Sequence, residues 1–327
     1  MNAMIDTLCA LGQRLERFGQ TPETVAVVEE ACRANAWFTP DSIHAAVEAI
    51  RREMLDRTLL EEWLAPYAVP VAKPKRVLII MAGNLPLVGF FDLLCLLVSG
   101  HEAWIKPSSK DTVLMRYVVD LLREADPEIP ILFYDGEGEP DAVIATGSDN
   151  TNRYFRARYG SIPTLLRGSR QSVAVLAGDE SEEELRGLEE DIWLHSGLGC
   201  RNVSLLMLSE RAAFPSIQPH ELHPKYRNNY RQAKALREMT DAPFVDLNGA
   251  LAIEQQAFPR ALSELSYCYY RSIEEVEAWL AEHDRSLQCV VSRCVEHPRR
   301  VGFGCAQHPR LEDYPDAVDV VAFLQRL

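Results

Sequence analysis

The chain lacks an excess of positive charge, the property that a groove for nucleic acid requires. Its 327 residues include 34 Lys and Arg against 48 Asp and Glu, which gives a formal net charge of −14 at pH 7. Neutralising phosphates depends on clustered Lys and Arg side chains, and an acidic surface is repelled by anionic membranes. We therefore expect no nucleic acid partner, and any anion site has to be local.

A long hydrophobic run is also missing. The longest one, Leu85–Val98, is interrupted by Gly89 and Asp92. A membrane-spanning helix needs about 20 predominantly apolar residues in succession. The run is therefore typical of a buried helix, and we expect no integral membrane segment.

The chain has no paired cysteine pattern. Its eight cysteines are scattered without a Cys-x-x-Cys pair, and the N-terminus has no basic-then-apolar leader. A disulfide framework is therefore not expected. Together these absences favour a reducing, cytoplasmic location.

The composition, with 47% hydrophobic and 25% charged residues, is typical of a soluble globular protein, and the length allows two domains. Residues 1–70 show apolar residues at helical spacing, which predicts a helical segment. Apolar strands then alternate with amphipathic helices, as in a doubly wound parallel sheet. The predicted strands are 76–82, 103–106, 130–134, 141–146 and 172–176, with helices at 87–98 and 111–124.

The pattern changes near residue 180, where a strongly acidic helix begins and a second α/β domain is predicted. Its strands are predicted at 203–208, 244–247 and 287–291, with a helix at 273–282. The predicted organisation is a helical segment 1–70, a cofactor-binding domain 71–179, a catalytic domain 180–310 and a C-terminal segment 311–327. We expect the last segment to pack back on the cofactor domain or on a partner subunit.

Four short segments carry residues suited to chemistry. They are Gly-Asn-Leu-Pro at 83–86, Lys-Pro-Ser-Ser at 106–109, Thr-Gly-Ser at 146–148, and Gly-Leu-Gly-Cys at 197–200. Gly147 and Ser148 fall between a predicted strand and a helix, where glycine lets backbone approach a ligand and the helix N-terminus favours an anion. This turn does not have the Gly-x-Gly-x-x-Gly pattern of a dinucleotide fingerprint.

Residues 81–110 resemble the aldehyde dehydrogenase superfamily, in which an Asn-x-Pro turn opens a helix and a strand ends in Lys-Pro-Ser. The fuller resemblance is to its acyl-CoA reductase branch, the LuxC-type fatty acid reductases of bacterial bioluminescence. It rests on residues 145–155, the run 199–204 and the stretch 303–324. The resemblance covers roughly residues 75–327.

This resemblance implies an aldehyde dehydrogenase-like α/β fold, with a parallel-sheet cofactor domain and a smaller α/β catalytic domain. It also implies an NADPH-dependent enzyme that reduces an acyl thioester to the aldehyde. The substrate would be acyl-CoA or an acyl-carrier thioester, and its acyl group a fatty acyl group. The acyl group would pass through a thioester on Cys200. A homodimer is the family-level expectation.

Two catalytic residues follow from the resemblance. Cys200 would be the nucleophile, since a thiolate attacks carbonyl carbon well; the alternative is a buried structural cysteine. Asn84 would donate its side-chain amide to the oxyanion, with the backbone N–H of Cys200 as second donor. Its alternative role is that of a turn residue before Pro86.

The resemblance also implies the cofactor-binding residues. Lys106, with Ser108 and Ser109, would bind the adenosine ribose or its 2′-phosphate, and Gly147, Ser148 and Thr151 would form the pyrophosphate-side turn. Superfamily members that prefer NAD often carry a Glu where this chain has Ser109. Its absence removes repulsion of a 2′-phosphate, so we expect NADPH rather than NADH.

One departure from the superfamily bears on the reaction. Hydrolytic members carry a Glu in a Glu-Leu-Gly-Gly segment that activates water, whereas the matching stretch 165–170 here reads Leu-Leu-Arg-Gly-Ser-Arg. Without that base, water is expected to attack the acyl-enzyme poorly. This favours a reductase over an oxidising dehydrogenase.

Other interpretations stay open. The same cysteine would serve a dehydrogenase of a small acid semialdehyde, and a non-catalytic nucleotide-binding relative is a third possibility. His195 is interpreted either as a base or as a cation near a helix C-terminus. His220 and His223 suggest a metal pair, but Pro219 and Pro224 favour a loop, so no metal site is predicted.

Overall fold

A computed structural model describes residues 2–219 and 222–327 of the chain. The chain forms two compact units, Met1–Ser169 with Arg310–Leu327, and Arg170–Pro309. Among the described residues, no helix is both long and apolar enough to cross a membrane.

The first unit begins with four helices. They are α1 (Asn2–Leu15), α2 (Pro22–Ala34), α3 (Pro40–Ala49) and α4 (Arg57–Leu64), with a π-helical turn at Ile50–Met54 after α3. Thr21 and Thr39 cap α2 and α3, and each helix has proline in its first turn. This start is favourable because proline lacks the N–H that would otherwise remain unpaired there. The apolar sides of these helices join the main core of the unit.

A five-stranded parallel sheet lies at the centre of this unit. Its strands are β1 (Arg76–Ile80), β2 (Glu102–Lys106), β3 (Ile131–Phe133), β4 (Ala142–Thr146) and β5 (Thr164–Arg167), in the spatial order β3-β2-β1-β4-β5. The helices α5 (Phe90–Ser99), α6 (Thr112–Ala125) and α7 (Asp149–Tyr159) connect them. Strand order reverses between β1 and β4, and ligands of such sheets bind outside the carboxyl ends of the strands at this switch point.

Both faces of the central strands β1 and β4 are buried, which explains why their interior residues are apolar. Val77 and Ile79 face the large core beneath α5 and α6, whereas Leu78 packs with Phe155 and Tyr159 on the other face. The final helix, α11 (Val320–Gln325), packs on α5.

The second unit contains a seven-stranded sheet. Its strands are β6 (Gln171–Leu176), β7 (Val203–Ser209), β8 (Val245–Asp246), β9 (Leu251–Glu254), β10 (Glu264–Tyr270), β11 (Leu287–Val291) and β12 (Arg300–Val301), in the order β12-β11-β6-β7-β10-β9-β8. The main helices are α8 (Glu182–Trp193), α9 (Pro224–Met239) and α10 (Ile273–His283). The described pairings are parallel except that between β8 and β9.

Two sequence-based assignments need correction. The strand predicted at 172–176 belongs to the second sheet, between β11 and β7, so the second unit starts at Arg170 and not near residue 180. The fifth strand of the first sheet is instead β5. Its polar residues Thr164 and Arg167 leave only two apolar residues between them, too few to predict a strand from the sequence. Hydrophobicity alone predicts that a run is buried, but it does not reveal which sheet the run joins.

The start of α5 also differs from the prediction. The helix begins at Phe90 rather than at Leu87, because Leu87 adopts a left-handed φ of 55°. A left-handed residue cannot continue a right-handed helix, so the turn between Asn84 and Gly89 is longer than the sequence indicates.

Candidate active site

The Asn84 turn follows β1 at the carboxyl end of the first sheet. Asn84 is exposed, while the preceding Gly83 is buried and accepts a hydrogen bond from Asn35 Nδ2 at 3.1 Å. A Cβ atom on Gly83 would lie 2.6 Å from both Cβ and Oγ of Ser108. Glycine is therefore required for the Asn84 turn to approach the turn that follows β2.

The Lys106 turn follows β2 at the same edge. Lys106 is the last residue of the strand and is exposed, and its carbonyl accepts the amide N–H of Met81 at 3.0 Å. Ser108 is half-buried against Gly83, and Ser109 is exposed. The arrangement presents a cation and two hydroxyl groups beside the Asn84 turn.

Asp111 joins these two turns. Its side chain is buried, and Oδ2 accepts the backbone N–H of Leu87 at 2.8 Å. Oδ1 has no hydrogen-bond partner among the described residues. Burial raises the pKa of Asp111 to about 7, since a charged carboxylate is poorly solvated in the interior.

The third turn follows β4, the strand beside β1. Ser148 caps α7 by accepting the backbone N–H of Thr151 at 3.3 Å, and Gly147 donates its N–H to the carbonyl of Arg167 at 3.1 Å. A Cβ on Gly147 would lie 3.1 Å from Thr151, so a larger residue would crowd the helix start. The helix N-terminus provides a local partial positive charge.

These seven predicted residues lie at one edge of one sheet. In the parallel register, Ile80 at the end of β1 is opposite Lys106 on one side and Ala145 on the other. The turns after β1, β2 and β4 consequently surround the point where strand order reverses. The predicted catalytic cysteine belongs to the other unit.

Cys200 is exposed in the turn between α8 and β7. Three consecutive residues of this turn are left-handed: His195 has a φ of 54°, Ser196 of 56° and Gly197 of 67°. Only glycine adopts this conformation without strain, so the surrounding contacts must hold the other two residues. Strain of this kind is common at functional sites.

Asn202 supplies many of those contacts. It is buried, its Oδ1 accepts the N–H of Gly199 at 2.8 Å, and its Nδ2 lies 2.9 Å from the carbonyl of Leu194. The same nitrogen also approaches the carbonyls of Asp191 and Ile192. One amide side chain thereby fastens the cysteine turn to the end of α8.

Asp191 holds the segment 304–306 against the C-terminal end of α8. Its fully buried carboxylate accepts the N–H of Gly304 at 2.8 Å and that of Ala306 at 2.9 Å. Arg201, next to Cys200, donates to the carbonyl of Ala306 at 3.3 Å. Burial raises the pKa of Asp191 to about 7, while the two backbone donors oppose that rise.

The environment of His195 disfavours its role as a cation at a helix end. Burial, and secondarily nearby His308, lowers the pKa of its imidazole. The residue also lies beyond the last residue of α8, Trp193, in the left-handed turn. Its interpretation as a base stays a prediction.

The sequence profile of the acyl-CoA reductase (LuxC) family matches residues 14–221, well over half of the chain. The chain belongs to the acyl-CoA reductase (LuxC) family. A curated relative, long-chain acyl-protein thioester reductase 2 of Photobacterium leiognathi, is 24% identical over 177 residues. That match spans 48% of this LuxC-family chain and 37% of the relative's length.

Solved structures share the fold. Aldehyde dehydrogenase 21 of Physcomitrella patens, in complex with succinate, aligns with a TM-score of 0.68 at 12% identity, covering 99% of this chain and 83% of that one. The NAD+ complex of a Bacillus cereus aldehyde dehydrogenase gives 0.60 at 16% identity, covering 89% and 72%. An acetylating aldehyde dehydrogenase of Geobacillus thermoglucosidasius gives 0.63 at 10% identity, covering 93% and 82%. The predicted aldehyde dehydrogenase-like α/β fold is thus confirmed.

The stretch 165–170, which lacks the carboxylate of hydrolytic superfamily members, has a structural role in this LuxC-family chain. Its first half, residues 165–167, belongs to β5, and buried Arg167 donates to both carboxylate oxygens of Asp92 on α5 at 2.7 Å. A buried ion pair of this geometry ties the edge strand to the helix.

Three supporting residues were not found from the sequence: Asp111, Asp191 and Asn202. Asp111 directly precedes a helix, a position where aspartate usually caps the helix. The sequence therefore indicates a helix cap rather than a bond to the Asn84 turn. The other two give no local signal, since their partners are backbone N–H and C=O groups, which do not depend on the type of residue. Within residues 2–219 and 222–327, no group of three or more potential ligands could hold a metal ion; His220 lies outside these ranges.

Proposed function

We propose that this LuxC-family protein is an NADPH-dependent reductase that converts a fatty acyl thioester to the aldehyde through an acyl group on Cys200. The observation that carries the proposal is the exposed Cys200 in a strained, firmly fastened turn. Family membership and the thioester reductase named among the relatives support the same chemistry.

In the first half-reaction, the Cys200 thiolate attacks the carbonyl carbon of the acyl thioester. A carbon–sulfur bond to Cys200 forms, the bond to the carrier sulfur breaks, and the carrier leaves as a thiolate that takes a proton from water. No change of oxidation state occurs in this step. Exposure of Cys200 allows a bulky thioester to reach it.

The oxyanion of the tetrahedral intermediate needs hydrogen-bond donors. We assign this role to the side-chain amide of Asn84, which is exposed at the end of β1, and to the backbone N–H of Cys200. Losing one such donor typically lowers the rate by about 10² to 10³. Asn84→Ala is therefore expected to slow acylation by this factor.

In the second half-reaction, NADPH, when bound by the residues at the edge of the first sheet, would supply the hydride, that is, the hydrogen and two electrons that reduce the acyl carbon. The protein's own part is to hold the acyl group as a thioester, stabilise the alkoxide and receive the cysteine sulfur back as thiolate when the aldehyde leaves. The stretch 165–170 offers no carboxylate to activate water against this thioester, which favours reduction over hydrolysis.

The residues at the edge of the first sheet fit a phosphorylated dinucleotide. Lys106 and Ser109 are exposed, and no acidic side chain occurs in residues 106–110 that would repel a 2′-phosphate. Gly147 permits close approach at the N-terminus of α7, where Ser148 and Thr151 shape the turn. Lys106, Ser108 and Ser109 would hold the adenosine ribose and its phosphate.

The acyl donor is proposed to be acyl-CoA or a carrier-bound thioester, and the protein is proposed to work in the cytoplasm as a homodimer. An intact-mass measurement tests the core of the proposal. Purified protein is incubated with acyl-CoAs of different chain length, without nicotinamide. An acyl adduct on Cys200 that NADPH discharges as aldehyde is expected.

Two variants make this test specific. Cys200→Ala should form no adduct, whereas Cys305→Ala, which removes the other exposed cysteine, should acylate normally. Absence of any adduct on folded wild-type protein would contradict the proposal. That result would favour a semialdehyde dehydrogenase or a non-catalytic relative.

A further inference from the structure

The backbone carbonyl of Cys200 is held by a serine from the interior of the second sheet. Ser172, near the start of β6, is fully buried and donates its hydroxyl proton to that carbonyl at 2.9 Å. The bond uses the carbonyl oxygen of Cys200, not its sulfur or amide nitrogen. It connects an exposed turn directly to the sheet beneath it.

Cys289 makes the other hydrogen bonds to this hydroxyl. On the neighbouring strand β11, it donates its backbone N–H to Ser172 Oγ at 3.2 Å, and its Sγ lies 3.0 Å from the same oxygen. With the single hydroxyl proton directed to Cys200, the thiol of Cys289 is the available donor for the 3.0 Å contact, although its Sγ also lies 3.8 Å from the carbonyl of Arg201. Burial raises the pKa of Cys289 to about 11, so the thiol keeps its proton at neutral pH.

The sheet is irregular where these residues meet. Opposite Ser172, β7 has one extra residue, since Ser172 pairs with Val203 and Val173 pairs with Leu205. The strand β11 also has an extra residue there, because both Gln288 and Cys289 lie between the residues paired with β6 positions 171 and 173. Such bulges are common beside active sites, where they redirect side chains.

We propose that Ser172, supported by Cys289, is a positioning residue that fixes the Cys200 backbone for attack on the acyl thioester. This role rests on the proposed function. Asn202 holds the turn from one side through Gly199, and Ser172 holds it from the other. Without the serine, the peptide after Cys200 can rotate, and the nucleophile and its amide N–H lose their alignment.

The test compares Ser172→Ala with a matched control, Ser292→Ala. Buried Ser292 donates to the carbonyl of Val175 at 2.9 Å, accepts the N–H of Cys294 at 3.1 Å and lies 3.3 Å from its sulfur. The control therefore loses the same kind of buried hydroxyl, from the residue that follows β11, and not from a contact with Cys200.

Single-turnover acylation is measured with the acyl-CoA that gives the fastest wild-type adduct. Ser172→Ala is expected to lower the saturating acylation rate by about 10- to 100-fold, with little change in the half-saturating concentration, because misplacement of a reacting group acts on the chemical step. Ser292→Ala should acylate as the wild type does, and Ser172→Thr should restore much of the rate.

Alkylation of Cys200 by iodoacetamide, mapped by mass spectrometry, separates positioning from damage. This small reagent needs no aligned oxyanion donor, so its rate should change little in Ser172→Ala, with exposed Cys305 as an internal reference. An equal loss of alkylation and acylation would overturn the positioning role, as would a wild-type acylation rate in Ser172→Ala.

If Ser172→Ala does not fold, Cys289→Ala decides the question. It removes only the thiol donor, so an intermediate loss of acylation is expected, and Cys289→Ser should restore the rate. A wild-type rate in Cys289→Ala would then overturn the proposal. Absence of the adduct in wild-type protein would overturn the proposed function and, with it, the role of Ser172; an unimpaired Ser172→Ala would overturn only the latter.

Discussion

Asp111 accepts the backbone N–H of Leu87 at 2.8 Å and thereby links the turn that carries Asn84 to the turn that carries Lys106. The bond spans 24 residues of sequence and joins the segments that follow two adjacent strands. Leu87 is left-handed, so the turn depends on outside contacts to keep its shape. A single buried carboxylate thus supports both turns.

Asp111→Asn is expected to raise thermal stability at pH 8 and to have much less effect at pH 5. Burial raises the pKa of Asp111 from 3.8 to about 7, so its contribution to stability is fully present below pH 3.8 and is lost as the pH rises from there to 7. Asparagine keeps an acceptor for Leu87 without that loss. The gain at pH 8 should be about 1 to 3 kcal/mol, measured by unfolding at both pH values. Equal effects at pH 5 and pH 8 would contradict this interpretation.

Asp191→Asn should have the opposite effect and destabilise the protein. Both oxygens of Asp191 accept backbone N–H groups, from Gly304 and Ala306, and an asparagine would turn its own NH₂ toward one of them. Leaving a buried donor unpaired typically costs about 1 to 3 kcal/mol. The thermal midpoint at pH 7 measures the loss. A midpoint at or above that of the wild type would show that the two bonds are unimportant.

Asn202→Ala is expected to slow acylation of Cys200 by about 10- to 100-fold, since the turn loses its attachment to α8 and misplaces the nucleophile. Asn229→Ala is the control, because its amide donates to the carbonyl of Lys225 within α9 and, among residues 2–219 and 222–327, makes no contact with the cysteine turn. Adduct formation followed by intact mass gives both rates. Similar rates in the two variants would show that Asn202 does not position the turn.

Ser109→Glu should shift the proposed cofactor preference from NADPH toward NADH. A carboxylate at this exposed position repels a 2′-phosphate and can accept bonds from a ribose diol, as in the superfamily members to which the sequence is similar. Charge repulsion at short range is worth about 1 kcal/mol or more, so the KM for NADPH should rise about tenfold. Ser109→Gln, with the same shape and no charge, should change it little. Unchanged KM values in Ser109→Glu would place the phosphate elsewhere.

The local elements were largely predictable from the sequence. The interiors of strands β1, β2 and β4 are apolar because these residues are buried on both faces of their sheet. Burial on both faces requires a continuous run of apolar residues, which is visible in the sequence. The membership of β6 was not predictable, since an apolar run indicates burial without naming its neighbours. Strands β9 and β10 were missed for a related reason: β9 has only three apolar residues before Glu254, and β10 begins at Glu264 and contains Ser266.

The candidate residues divide in the same way. By itself, the sequence determined the residue types that bear chemistry and their order, because motifs such as the Asn84 and Cys200 turns depend on neighbours along the chain. Only the tertiary structure decided which side chains hold those turns. Asp111, Asn202 and Ser172 bond to backbone groups, and every residue except proline offers the same N–H and C=O. A contact of this kind places no requirement on the residue type of the partner, so it cannot be recognised in the sequence and is seen only in the folded structure.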